Sequence, residues 1–113
     1  GGGDTMVVVG ARIVQLRNAT GPAVLSKITT GWGKTAPLSL IDSSIECGDE
    51  EHAGLGIGIS AAGSVYAKNV YFKNCSVLVN FAAAAHHPVK APRVAEGAYV
   101  LLHELVQGID APD

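Results

Sequence analysis

The chain has 113 residues, 48% hydrophobic and 16% charged, with a formal net charge of −2 at neutral pH. That allows one domain at most, or a piece of one, and such a high apolar content excludes disorder along its whole length. The balance, with a pI near 6.1, excludes a nucleic-acid binder working through a broad basic surface, and no apolar run reaches the ~18 residues of a membrane-spanning helix.

Aromatic residues make up only 5% of the chain, while Gly occurs 14 times. Small residues with Val, Ile and Leu suit tight turns between thin, stacked strands. The chain opens Gly1-Gly2-Gly3-Asp4, without the charged and apolar regions of a secretory signal, so a mature product or an internal piece of a longer protein is expected. The two cysteines, Cys47 and Cys75, are too few for a disulfide scaffold and form no CxxC. They read either as two small buried residues or as a single bridge between neighbouring strand layers.

Three segments along the chain can be superposed: Val8–Ile13, Leu40–Ile45 and Val65–Val70. Each places a second β-branched residue five positions after its first aliphatic one. A shorter apolar stretch follows each of them: Ala23-Val24-Leu25, then Leu55–Ile59, then Val77-Leu78-Val79. Turn-forming clusters separate the paired stretches, giving a strand, turn, strand, loop repeat. Its spacing is 32 residues from Val8 to Leu40 and 25 from Leu40 to Val65.

Within the third segment, alternation predicts Val65, Ala67, Val70 and Phe72 inward and Tyr66, Lys68, Tyr71 and Lys73 outward. The alternation slips at Asn69, which fits a bend between two strands, because Asn tolerates left-handed backbone. One such layer cannot bury its inner face alone, whereas stacked layers build a continuous core. The expected fold is therefore all-β, a right-handed parallel β-helix of about three coils over residues 1–81. An antiparallel β-sandwich fits the strand spacing too, but no Asn-Gly or Asp-Gly hairpin turn joins the runs.

Residues 82–97 read as a linker, since Pro88 and Pro92 block regular structure. Residues 98–113 carry both helical spacing (Ala98, Leu101, Leu102, Leu105) and alternation (Tyr99, Leu101, His103, Leu105). A closing strand or a short capping helix is expected there, with the strand preferred.

The stretch Pro37–Phe81 resembles the pectate-lyase-like superfamily, notably the large bacterial proteins labelled pectate lyase superfamily. Leu38–Cys47 and Gly63–Asn74 carry the likeness, the second resembling the apolar-x-apolar-x-Asn coil pattern of those proteins. The resemblance implies cleavage or binding of a polysaccharide, often acidic, along an outer sheet face. It also implies an extracellular or periplasmic setting. The family's catalytic patterns are not matched: there is no Asp-Asp pair, no Gly-His-Gly and no full set of calcium-binding Asp residues. Scaffold likeness alone does not assign a reaction.

The densest polar cluster is Asp49-Glu50-Glu51-His52, with Asp42 and Glu46 upstream. Asp42, Glu46, Glu50 and Glu51 are the candidate catalytic carboxylates of a polysaccharide lyase or glycoside hydrolase, which needs paired acids or a base beside a cation. Asp49, Glu50 and His52 are the candidate metal ligands, with calcium as the cation such oxygens would take. Against this stands an ordinary acidic turn kept polar for solubility. The candidate sugar-binding residues are Trp32, Tyr66, Lys68, Tyr71 and Lys73, since rings lie against sugar faces and ammonium groups pair with uronate carboxylates. A solvated strand face, and an indole folded over the end of the stack, are the plain alternatives.

The sequence thus points to a carbohydrate-active protein whose partner is a polysaccharide. A non-catalytic glycan-binding or structural segment, of the kind found in tailspikes and adhesins, is the other reading. Unpaired edge strands at the ends of such a stack would favour a homo-oligomer or further coils of a longer chain.

Overall fold

The computed structural model describes residues 6–15, 21–26, 37–48, 56–81, 87–95 and 97–107. These hold the strands Met6–Val9 (β1), Arg12–Val14 (β2), Val24–Ser26 (β3), Leu38–Glu46 (β4), Ile57–Ala61 (β5), Val65–Lys73 (β6), Val77–Phe81 (β7), Val89–Lys90 (β8) and Tyr99–Gln107 (β9). They form two sheets. The first is ordered β1-β4-β6-β9, with β2 continuing along β4 as its fifth strand, and the second is ordered β3-β5-β7-β8.

The expected right-handed parallel β-helix is overturned by strand direction. β9 runs antiparallel to β6 along nearly its whole length, and β8 runs antiparallel to β7. Both sheets are therefore mixed, and both are open. A parallel coil needs the chain to return always in the same sense. Beyond Phe81 it returns in the opposite one, through the proline-flanked segment that carries β8. The pairs β1–β4, β2–β4, β4–β6, β3–β5 and β5–β7 are parallel, which also departs from an antiparallel sandwich.

Residues from both sheets share one core. Leu38, Leu40 and Ile45 of β4, Val65, Ala67, Val70 and Phe72 of β6, Ile59 and Ala61 of β5, and Leu78, Val79 and Phe81 of β7 are all buried. The inward set expected for the third segment is the one observed. Gly58 lets the sheets approach closely: a Cβ built there would lie 2.7 Å from Cε2 of Phe72 and 3.0 Å from the Leu78 carbonyl oxygen.

The Asn69 bend is present, at φ 53°, and it belongs to a row. Asp42 (φ 50°) takes the same position in β4, because Ile41 pairs with Lys68 and Ser43 with Val70. Gly10 (φ 68°) takes it between β1 and β2, since Val9 pairs with Ile41. Only short polar residues and Gly enter the left-handed region cheaply, which accounts for the residue types in this row. Just past the bend, the buried Ser43 hydroxyl donates to the Ile41 carbonyl (2.8 Å) and accepts from the Ala11 amide (3.1 Å). β9 follows the same bend: His103 and Glu104 are both exposed, and Glu104 lies opposite Lys68.

The repeat register is met in its first step, where Val8 pairs with Leu40. In the second step Leu40 pairs with Ala67 and Leu38 with Val65, so the offset is two residues longer than the sequence alignment suggested. Cys47, directly after β4, and Cys75, two residues after β6, are buried and joined by a disulfide. The Gln15 side chain ties the same end of the molecule, donating to the Gly21 carbonyl (2.6 Å) and accepting from the Gly48 amide (2.7 Å).

Candidate functional site

The outer side of the first sheet is divided by the bend. Before it lie Tyr66 and Lys68 of β6, and beyond it Tyr71 and Lys73. The sequence grouped these four on one face, but the bend at Asn69 sets them on two. Lys68 is exposed opposite Glu104 in the antiparallel ladder. Lys73 lies 3.8 Å from Glu46 on the neighbouring strand.

The antiparallel return brings in a residue that sequence reasoning did not select. Tyr99 pairs with Lys73, and its ring meets that of Tyr71 edge-on, with centroids 6.3 Å apart and planes at 87°. The Lys73 ammonium sits 5.6 Å from the Tyr99 ring centroid. Tyr71 is 46% exposed and Tyr99 50%, so two tyrosines stand side by side with their bodies half in water. Tyr99 opens an alternating stretch in the sequence, but nothing local marks it as a neighbour of Tyr71. Only strand direction does that.

Tyr71 also borders an open groove of about 420 Å³ that runs over the bend, lined among others by Gly10, Ala11, Arg12, Asp42, Ser44 and Asn69. Asn69 Nδ2 donates to Asp42 Oδ1 at 3.2 Å on the exposed side of the row. The groove therefore offers a guanidinium, a carboxylate, an amide and a hydroxyl beside an aromatic pair. The bend produces it, because three consecutive strands turn at the same position.

Of the candidate catalytic residues, Asp42 lies in this groove, while Glu46 lies four residues further along β4 beside Lys73. Four residues of extended strand separate two Cα atoms by roughly 13 Å. Glu50 and Glu51, the metal candidates Asp49, Glu50 and His52, and the indole of Trp32 lie outside the described residues. Among the described residues no cluster of His, Cys, Asp and Glu could hold a metal ion, and no helix is long and apolar enough to cross a membrane.

No protein-family model, curated protein or solved structure matches this chain. The site is therefore read from its own chemistry.

Proposed function

We propose that this chain is a polysaccharide-binding module whose contact surface is the Tyr71–Tyr99 pair and the groove beside it. The observation that carries the reading is the half-exposed tyrosine pair held across an antiparallel ladder. Sugar rings present C–H faces that pack on aromatic rings, and their hydroxyls both donate and accept hydrogen bonds. Arg12, Asn69, Ser44 and Asp42 supply partners of both kinds along the groove.

The balance of charge supports recognition by stacking and hydroxyl contacts more than by salt links. Lys73 is balanced by Glu46, and Lys68 lies opposite Glu104. A neutral polysaccharide fits this face better than a strongly acidic one. The reading is of binding without turnover. Asp42 and Glu46, the candidate carboxylates among the described residues, each already meet a partner, Asn69 for the first and Lys73 for the second. The Cys47–Cys75 disulfide supports placement in an oxidising compartment, such as the cell exterior or periplasm.

The test is calorimetric titration with neutral and uronate-containing oligosaccharides at low salt and at tenfold higher salt. Binding of a neutral oligosaccharide is expected, its affinity changing less than about twofold with salt, since little of it comes from exposed charge. The Y71A/Y99A variant is expected to lose about tenfold or more in affinity. Unchanged affinity in that variant, or binding confined to acidic oligosaccharides and abolished by salt, would overturn the reading.

A further inference from the structure

The edges of the two sheets are not equally protected. β8 has two residues and is flanked by Pro88 and Pro92, and β3 has three residues. β9 presents His103 and Glu104 at its bend. Short strands, prolines and charges are the usual means of keeping an edge from pairing. The edge formed by β1 and β2 is also built of short strands, four and three residues long, but they continue one another along β4, and the edge has no proline. Its sequence from Met6 to Val14 is Met-Val-Val-Val-Gly-Ala-Arg-Ile-Val, with a single charge, and Val7 and Val9 are 58% and 62% exposed. Among the described residues no strand lies beyond it.

The polarity of that edge can be read from its inner bonds. The amides of Met6, Gly10 and Gln15 donate to β4 or its flanks, and the Ala11 carbonyl accepts from Ser44. Because backbone groups alternate along a strand on each side of the bend, Val7 and Val9 in β1 and Arg12 and Val14 in β2 direct their N–H and C=O groups to the free side.

The opposite edge of the same sheet shows how a bent strand accepts an antiparallel partner. In β6 the two consecutive outward residues at the bend are Lys68 and Asn69, and in β9 they are His103 and Glu104. Lys68 pairs with Glu104, and inward residues stay opposite inward ones on both sides of the bend, as Ala67 with Leu105 and Val70 with Leu102. Applied to β1 and β2, the same rule makes the edge complementary to itself. The outward pair is Val9 and Gly10. Setting Val9 opposite Gly10 of a second copy places Val8 opposite Ala11, Val7 opposite Arg12 and Met6 opposite Ile13. All four of those inner positions (Met6, Val8, Ala11 and Ile13) follow the core-facing set of β4, while Val7 and Arg12 both face out. Val7 and Arg12 are also among the residues whose backbone groups point to the free side. Facing, and hydrogen bonding between Val7 and Arg12 of the two copies, are thus satisfied in one register, while the Gly10 amide at the bend stays bonded to Ile41.

We infer that two copies of this chain form a two-fold symmetric dimer by antiparallel pairing of the β1–β2 edges, in the register that sets Val7 against Arg12 of the partner. A two-fold interface uses the same patch on both copies, which is what this self-complementary edge supplies. The dimer joins two mixed sheets into one continuous sheet and carries the groove at Arg12 next to the junction.

The test uses the whole chain. Sedimentation equilibrium of the wild-type protein is expected to give twice the 11.6 kDa of one chain. Val9→Lys brings two ammonium groups together beside the two-fold axis and is expected to abolish the dimer. Its circular dichroism should not change, because Val9 is largely exposed. Single cysteine variants then read the register. A mixture of V7C and R12C is expected to form a disulfide-linked dimer under mild oxidation, since directly opposed residues have Cα atoms about 5.5 Å apart. V7C alone is expected to form none, as the two copies of residue 7 would lie roughly 15 Å apart. A monomeric wild-type protein, a dimer indifferent to Val9→Lys, or cross-linking of V7C with itself would each overturn the inference.

Discussion

Removing the Cys47–Cys75 disulfide tests how the stacked layers are held in register. The bridge closes a loop with a sequence separation of 28 residues, for which loop-closure entropy gives about 3.6 kcal/mol at 25 °C. With an unfolding entropy near 2.1 cal/mol/K per residue, a chain of this length should lose about 15 °C in Tm. The assay is thermal and urea unfolding of the protein with and without a reductant, beside the C47A/C75A variant. Reduction keeps both side chains and adds one hydrogen to each sulfur, so it reads loop closure with less change in packing than a substitution makes. The double Ala variant also removes two buried sulfurs and is expected to lose somewhat more. A reduced protein within about 1 kcal/mol of the oxidised one would refute the reasoning, and would mean that the unfolded chain already keeps β4 and β6 together.

Gly58→Ala should cost about 1–3 kcal/mol in urea unfolding, because its Cβ would press on the buried Phe72 ring and the Leu78 carbonyl. Asn69→Ala should cost about 1–2 kcal/mol through the left-handed φ of 53°, whereas Asn69→Gly should recover most of it, as read by the same assay. Breaking the Lys73–Glu46 pair with E46A should change stability by less than about 1 kcal/mol, because both side chains are partly exposed and solvent screens them. Deleting residues 98–113 removes β9 and leaves the nine-residue β6 as a bare edge, so the truncated chain should elute as aggregates in size-exclusion chromatography.

The sequence revealed what depends on local pattern. The inward set of β6 and the bend at Asn69 were legible because alternation breaks there at a residue that tolerates left-handed backbone. The pairing of Val8 with Leu40 was legible for a similar reason. The pairing of Leu40 with Ala67 was not, since Leu40 with Val65 and Ile45 with Val70 match as inward residues in the shorter register, and only the alignment of the bends at Asp42 and Asn69 selects the longer one. Strand direction was not legible either. Periodicity is the same for a parallel and an antiparallel strand, so β9 could be anticipated as a strand but not as the antiparallel partner that ends the parallel stack. That one reversal undid the β-helix expectation. It also supplied Tyr99, the half of the aromatic pair that the sequence did not single out. The groove escaped notice because Arg12, Asp42 and Asn69 are 30 and 27 residues apart in the chain and meet only when the bends align. Trp32 and the acidic run Asp49–His52 lie outside the described residues and carry none of this account.

The most direct test of the binding surface is a titration with a neutral oligosaccharide followed residue by residue through backbone amide chemical shifts. The account expects shifts concentrated at Arg12, Asp42, Asn69, Tyr71 and Tyr99, with the second sheet unmoved. Shifts that avoid Tyr71 and Tyr99, or a spectrum that no oligosaccharide changes, would contradict it.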